Sequence, residues 1–310
     1  MVSYEFIEGI LFFFMTLIGI CGNLIITICF SQIAYQDHKI TTVEIILLNL
    51  AWANLIALLA RSIPETLYVF GVRKIFDDIV CKIIPFLHIS FRGHALCLTC
   101  FLSYFQCLSI GSTNIKWLQL KAKMQKYIAI IIIFFCFTSM VFSTDLILYS
   151  SANKNISNTE NTIALGYCIN FLPNKLIIDI IGYLVFSRDL LCVLVMSFFS
   201  VHILFVLYTH RQKVKGIRSS DRSLESTAEG QAAKIVILLV IMYALFFGIG
   251  TIVWFYQIMS NTSSNVAFII RNFFSMCYST FFPVVIFAFN RKIRYKLQQC
   301  LGRTHLLLND

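Results

Sequence analysis

Apolar residues are concentrated in seven long stretches that are separated by short polar segments. The stretches cover residues 7–33, 43–70, 81–110, 127–149, 176–208, 232–258 and 266–289. A helix needs about 20 mostly apolar residues to cross the roughly 30 Å hydrocarbon core of a bilayer. Helices are expected because unpaired backbone groups in lipid cost several kcal/mol each. The pattern therefore predicts an all-α membrane protein, a bundle of seven transmembrane helices forming one domain over residues 1–310.

The composition agrees with lipid as the solvent. Of the 310 residues, 58% are hydrophobic and only 13% are charged, whereas a soluble domain has about a quarter charged residues. The formal net charge is +10, which by itself would also suit a nucleic-acid-binding protein. The positions of the basic residues decide between these explanations.

Lysine and arginine orient the spans, because cytoplasmic loops carry an excess of both. With the N-terminus outside, 16 of the 25 basic residues lie in inner segments, five lie in outer segments and four lie within spans. The bias explains the positive charge without nucleic acid. We therefore expect the N-terminus outside and the C-terminus in the cytoplasm.

Glycosylation motifs and cysteines support this orientation. The two N-x-[ST] motifs begin at Asn155 and Asn261, in two connections that are both external in this orientation, where glycosylation takes place. Only Cys81 and Cys168 lie on the oxidising side, and a disulfide between them would hold the longest outer loop over the bundle. Two unrelated thiols are the alternative.

The segment that follows the seventh stretch is basic and amphipathic. Residues 290–301 place Ile293, Leu297 and Leu301 on one helical face, with arginine and lysine around it. Such a helix is suited to lie on an anionic inner leaflet. The neighbouring Cys300 is a candidate for palmitoylation, and an unmodified thiol is the equal alternative.

Several charged residues interrupt the apolar stretches. Arg61 and Glu65 are one turn apart, so they share a helical face and can pair. Arg92 lies eleven residues after Cys81, about 16 Å along the third helix, and Arg188 lies at a similar depth in the fifth. Intramembrane charges face the bundle interior or a cavity. They either form a structural network that holds the helices together or bind ligand, with Arg92 and Arg188 lining a cavity between the third and fifth helices. The candidate ligand-binding residues are Arg92, Arg188, Glu65, Asp145 and Arg271.

Ordered motifs resemble those of one receptor family. They read ILLNLAWANLIALLARSIPETL in the second span, FRGHALCLTCFLSYFQCLSIGSTNIKW in the third, RDLLCVLVMSFF and LYTHRQKVKGIR in the fifth, STAEGQAAKIVILLV in the sixth and STFFPVVIFAFN in the seventh. Together they resemble vomeronasal type-1 receptors and the related fish olfactory receptors of class A type, which are G-protein-coupled receptors. The chain departs from the family at Gly111-Ser112, where a proline is usual.

The resemblance implies a chemosensory receptor of the plasma membrane. Such a receptor binds a small organic ligand, a pheromone or odorant, from outside and activates a heterotrimeric G protein of the inhibitory or Go class. No enzymatic activity, metal or cofactor is expected. The candidate G-protein-facing residues on the inner side are Lys116, Arg211, Lys215, Arg218 and Lys234.

Two alternatives remain at this point. A bitter-taste receptor of type 2 has the same size and architecture, but its usual third-span ending and sixth-span pattern are missing here. A small multi-span transporter or channel is a further alternative. The chain lacks the internal repeat that marks many transporters.

Overall fold

A computed structural model describes residues 2–37, 40–72, 76–110, 115–152, 162–164, 168–171, 173–217, 228–260 and 265–307. Within these ranges the protein is largely helical. The helices are α1 (Val2–Asp37), α2 (Thr42–Val69), α3 (Asp78–Ile110), α4 (Ile115–Lys126), α5 (Ile128–Val141), α6 (Thr144–Tyr149), α7 (Lys175–Ile217), α8 (Ala228–Met242), α9 (Gly248–Ser260), α10 (Asn265–Phe289) and α11 (Arg291–Leu307). A π-helical segment, Tyr243–Phe247, lies between α8 and α9.

Most of these helices can cross a bilayer. Among the described residues, six segments are long and apolar enough: Gly9–Gln36, Thr42–Tyr68, Asp78–Ile110, Ile128–Tyr149, Lys175–Thr209 and Ala233–Val253. A seventh, Phe273–Phe289, qualifies together with Arg291–Gln299, to which it is bent by 86°. The chain is thus a helical multi-span membrane protein. Its six or seven candidate spans are consistent with the seven that the sequence predicts.

The fourth span is broken where the sequence predicted a continuous helix. α5 ends at Val141 and α6 begins at Thr144. Beside the break, the Ser143 hydroxyl donates to the carbonyl of Ser139 at 3.0 Å, and the Thr144 hydroxyl donates to that of Val141 at 2.9 Å. Hydroxyl groups that bond back to the preceding turn bend helices. This bonding accounts for the interruption.

Two helical regions extend beyond the predicted spans. The segment after the third span, for which the sequence predicts a loop, contains the twelve-residue helix α4. Helix α7 continues nine residues past position 208, to Ile217. The end of the bundle that carries α4 and α11 is called the inner end below, and the opposite end is the outer end.

A small sheet in one outer connection accompanies the predicted helical bundle. The strands β1 (Ser150–Ser151), β2 (Thr162–Ala164) and β3 (Ile169–Phe171) form an antiparallel sheet in the order β1-β3-β2. A disulfide joins Cys168, immediately before β3, to Cys81 in the first turn of α3, with a Cα–Cα distance of 5.5 Å. The cross-link fixes this outer connection to the third helix.

Helix α3 lies at the centre of the bundle and packs against α2, α5, α7 and α8. Many of its side chains are buried, including Leu98, Leu102 and Phe105. In contrast, α5 and α7 expose large apolar residues such as Ile133 and Phe198, as expected for helices that face lipid. At the α1–α10 contact, a Cβ on Gly22 would come within 2.6 Å of Pro283, so glycine permits this close approach.

Helix α11 is attached to the inner end of the bundle. Lys292 forms an ion pair with Glu44 at 2.7 Å, and Lys296 donates a hydrogen bond to Gln36 at 2.8 Å. Ile293 is completely buried in the main core. The predicted amphipathic segment is therefore a helix, and it extends to Leu307 rather than ending at residue 301.

Candidate functional site

Two arginines share one carboxylate in the interior of the bundle. Asp189 of α7 accepts a hydrogen bond from Nη2 of Arg92 of α3 at 3.0 Å, through Oδ2. Its other oxygen, Oδ1, accepts hydrogen bonds from Nε and Nη2 of Arg188 at 3.0 and 2.7 Å. The three side chains are only 15%, 5% and 13% exposed for Arg92, Asp189 and Arg188. Asp189 therefore bridges the third and fifth spans.

Aromatic rings and a glycine enclose this cluster. The guanidinium carbon of Arg92 lies 4.6 Å from the ring centroid of Phe247, and that of Arg188 lies 5.4 Å from the ring of Phe142, distances that suit cation–π attraction. A Cβ on Gly93 would lie 3.2 Å from Nη1 of Arg188. Glycine at this position leaves room for the guanidinium against α3.

The charge of the cluster is not balanced. Within the described part of the chain, the guanidinium groups of Arg92 and Arg188 both pair with the carboxylate of Asp189. The cluster therefore carries an excess of one positive charge. The nearby pair of Arg61 and Glu65, at 3.4 Å, is neutral overall. Because a buried charge without a partner is costly, the excess positive charge is complementary to an anion.

Next to the cluster, the π-helical segment presents a buried hydroxyl group. Tyr243 is 1% exposed, stacks on Phe247 with 4.2 Å between ring centroids and meets the edge of Tyr278 at 4.8 Å. No hydrogen-bond partner for its hydroxyl is found among the described residues. π-Helical segments occur frequently at functional sites.

A cleft opens between α2, α3 and α10 beside Arg92. Its volume is about 10 Å³, room for roughly one water molecule, and its walls are formed by Ala57, Leu58, Arg61, His88, Arg92, Ser275, Met276 and Ser279. The Nδ1 atom of His88 lies 3.0 Å from the carbonyl oxygen of Ala57, which ties α3 to α2. Ligand pockets usually measure about 300 to 1,000 Å³, so a drug-sized molecule requires the helices to separate.

The structure places the predicted ligand-site residues in different surroundings. Arg92 and Arg188 meet through Asp189, but only Arg92 lines the cleft, and that cleft lies toward α2 and α10 rather than between the third and fifth spans. The expected pairing of Arg61 with Glu65 is present. Asp145 is half-buried at the start of α6 and accepts a hydrogen bond from the Asn170 side chain of β3. Arg271 belongs to α10, and its side chain is not among those that the structure describes.

The remaining predicted residues lie at the two ends. Lys116 of α4 and Lys234 of α8 are exposed. Arg211 and Lys215 belong to the inner extension of α7, and Cys300 belongs to α11. Arg218, Asn155 and Asn261 lie outside the described residues. Across the described ranges, no group of three or more His, Cys, Asp or Glu side chains is arranged to hold a metal ion.

Sequence reasoning missed the roles of Asp189 and Tyr243. Asp189 adjoins Arg188, but adjacent residues point about 100° apart on a helix, so nothing in the sequence indicates that its carboxylate also reaches Arg92. The available signal was that Asp189 lies in the middle of the apolar fifth span, ten residues after the other acid of that span, Asp179. Nothing in the residues Tyr243–Phe247 marks a π-helical segment.

Comparison with known proteins assigns the chain to a family. The model of the vomeronasal organ pheromone receptor family matches residues 6–299. Olfactory receptor class A-like protein 1 of Danio rerio is 32% identical over 292 residues, which cover 94% of this chain and 92% of that protein. Vomeronasal type-1 receptor 2 of Homo sapiens is 27% identical over 96% of this chain and 75% of the relative. The chain belongs to the vomeronasal organ pheromone receptor family.

Proposed function

We propose that the chain is a chemosensory G-protein-coupled receptor that binds a small, negatively charged organic molecule beside Arg92. The observation that carries this proposal is the positive excess at Arg92, Asp189 and Arg188. A ligand carboxylate or sulfate would neutralise the excess in a site of low dielectric constant, where such an interaction is strong. Family membership supplies the chemosensory role and argues against the bitter-taste and transporter alternatives.

The cleft provides the route by which a ligand would reach the cluster. Arg92 contributes to its wall, and Arg61 with its partner Glu65 lies on the α2 side. Leu58 and Met276 offer apolar contacts for the rest of the molecule. A ligand larger than the present space must move α10 or α2 aside, and its binding energy would then favour one packing of the helices over another.

The π-helical segment is the element through which this bias would reach the inner end. Phe247 contacts the guanidinium of Arg92, and its neighbour Tyr243 packs on Tyr278 of α10. A ligand that draws Arg92 toward the cleft would loosen the contact with Phe247. α8 and α9, which this segment connects, would then shift against α7 and α10.

We place the receptor in the plasma membrane as a single seven-span domain, residues 1–310, with the N-terminus outside. Asn155 and Asn261 are the proposed glycosylation sites, and α11 is proposed to lie on the inner leaflet, with Cys300 as a lipidation site. The G protein, proposed to be of the inhibitory or Go class, would contact Lys116, Arg211, Lys215, Arg218 and Lys234. Enzymatic deglycosylation of material from mammalian cells tests the orientation, because unchanged mobility on a gel would contradict it.

The function is tested by a screen of organic acids, each paired with its methyl ester. Cells carrying the receptor, a promiscuous G protein and a calcium reporter are compared with identical cells that lack the G protein. We expect at least one acid to evoke a calcium response that needs both receptor and G protein, and its uncharged ester to act more weakly. Responses that persist without the G protein would contradict the receptor mechanism. Agonists that are all uncharged would contradict the anionic ligand.

A further inference from the structure

Helix α4 has three chemically distinct faces. It carries four lysines and no acidic residue in the sequence IKWLQLKAKMQK, and none of its side chains is fully buried. Leu120 and Met124, one turn apart, are half-buried, and Met124 packs against the main core of the bundle. This face fixes how the helix sits against the other spans.

A second face is apolar and uncovered. Ile115, Leu118 and Ala122 follow each other at helical spacing, which places them on one side. Ile115 and Leu118 are 73% and 56% exposed. A soluble inner loop would gain nothing from large apolar side chains at these positions. Their exposure indicates a partner that is itself apolar.

The third face is basic and borders the apolar one. At about 100° per residue, Lys116, Lys123 and Lys126 fall on the same side of the helix, next to Ile115. All three are exposed. Within the described part of the chain, neither Lys123 nor Lys126 forms an ion pair with a carboxylate. The two adjoining faces together match a bilayer surface, where charged headgroups lie directly above hydrocarbon.

The position of α4 in the chain puts it at the edge of the hydrocarbon core. The candidate span begins at Ile128, two residues after α4 ends. Ile130 and Ile133, in the first turns of α5, are 63% and 67% exposed and face lipid. Between the two helices, the Tyr127 ring lies 5.6 Å from Nζ of Lys126, and tyrosine is typical of the membrane interface.

We infer that α4 lies in the headgroup layer of the inner leaflet and binds anionic phospholipids through Lys116, Lys123 and Lys126. Ile115, Leu118 and Ala122 then reach the boundary of the acyl chains. Bound in this way, α4 would hold the inner ends of the third and fourth spans at a fixed depth. The inference rests on the proposed orientation, because the inner leaflet is the anionic one. The competing occupant of the lysine face is the G protein.

Fluorescence quenching in nanodiscs tests this inference on the full chain. A reporter is made with Leu118→Trp in a background of Trp52→Phe, Trp117→Phe and Trp254→Phe. We expect brominated phosphatidylserine to quench the reporter more strongly than brominated phosphatidylcholine at equal mole fraction. Lys123→Gln should lower the relative association of phosphatidylserine by about fivefold, the equivalent of about 1 kcal/mol for a lysine near the surface. Lys123→Arg should retain the preference.

Matched controls use lysines at the outer end. Lys82→Gln and Lys175→Gln remove the same charge from the starts of α3 and α7 and should leave the preference unchanged. A second measurement, on the chain with its native tryptophans, compares the ratio of phosphatidylserine to phosphatidylcholine that is retained after detergent extraction. The triple replacement of Lys116, Lys123 and Lys126 by glutamine should lower this ratio.

Equal quenching by the two lipids, or a preference that survives the triple replacement, would overturn the inference. If the triple replacement abolishes G-protein activation while the lipid preference stays, the lysine face belongs to the G protein. Both leaflets of a nanodisc have the same composition, so the result does not depend on orientation. An error in the proposed orientation would appear separately, in the deglycosylation experiment.

Discussion

The outer and inner halves of the bundle are held together by different interactions. Toward the outer end, Arg92, Asp189 and Arg188 link α3 to α7 through charged hydrogen bonds. Toward the inner end, Leu98, Leu102, Phe282 and other apolar residues form a core with 0% exposure. The outer half has a cleft and an excess charge, whereas the inner half is closely packed.

The difference follows from the solvent. Lipid tails are as apolar as leucine, so burying leucine between helices gains packing energy but no hydrophobic transfer energy. A charge, in contrast, must have a partner in the bundle or a water-filled space. In the proposed function, the outer half is therefore the part that a charged ligand would rearrange, and the inner half would transmit the change through packed side chains.

The largest effect is expected for Asp189→Asn, which leaves two buried guanidinium groups without a counter-ion. Removing one member of a buried ion pair costs about 3–5 kcal/mol, so the thermal stability of the purified receptor should fall sharply. Asp179→Asn, in the first turns of the same helix, is the control and should have little effect. Adding Arg92→Gln and Arg188→Gln to Asp189→Asn should restore part of the stability. A melting temperature that Asp189→Asn leaves unchanged would contradict the bridging role of this carboxylate.

A smaller effect is expected for Leu102→Ala in the inner core. In soluble proteins such a replacement costs about 2–5 kcal/mol. In the membrane, lipid is as apolar as the core, so the replacement removes packing energy but no hydrophobic transfer energy. We therefore expect Leu102→Ala to lower the free energy of unfolding by about 1–2 kcal/mol. Leu194→Ala on the lipid-facing side, where the side chain is 58% exposed, is the matched control. A loss for Leu102→Ala as large as that for Asp189→Asn would remove the distinction between the two halves.

The smallest effect concerns the hydrogen bond between the hydroxyl groups of Thr99 and Tyr278, which are 2.9 Å apart. Hydrogen bonds between membrane helices contribute about 0.6 kcal/mol on average. A double-mutant cycle with Thr99→Val and Tyr278→Phe should therefore give a coupling energy of this size. Strictly additive changes in stability would show that the contact does not join α3 to α10.

The sequence predicted the larger features of the fold because lipid imposes a simple rule. Apolar length located the spanning helices, and the distribution of lysine and arginine placed Cys81 and Cys168 on one side of the membrane. It also paired Arg61 with Glu65, since both lie on one helix at fixed spacing. Such features depend on local geometry or on the sidedness of the membrane.

The features that escaped prediction depend on contacts between distant segments. Asp189 reaches Arg92 across 97 positions of sequence. The lengths of the apolar stretches do not reveal which helices are neighbours. The π-helical segment arises where Tyr243 and Phe247 stack against α3 and α10, and local preference does not reveal it. The break in the fourth span had a local signal, the hydroxyl residues Ser139, Ser143 and Thr144. A prediction based only on the length of the apolar stretch overlooks this signal.

The central claim is that the excess positive charge beside the cleft holds an anionic ligand. It is tested most directly by concentration–response curves of Arg92→Ala and Arg188→Ala for an acid and its methyl ester, in cells with surface expression matched to the unmodified receptor. We expect the acid to lose more than about tenfold in potency, a factor that corresponds to about 1.4 kcal/mol, while the ester changes little. Lysine at either position should restore only part of the response, since it keeps the charge but not the planar fork of donors. If alanine variants at normal surface levels respond to every acidic agonist with unchanged potency, the arginines belong to the scaffold and the claim is wrong.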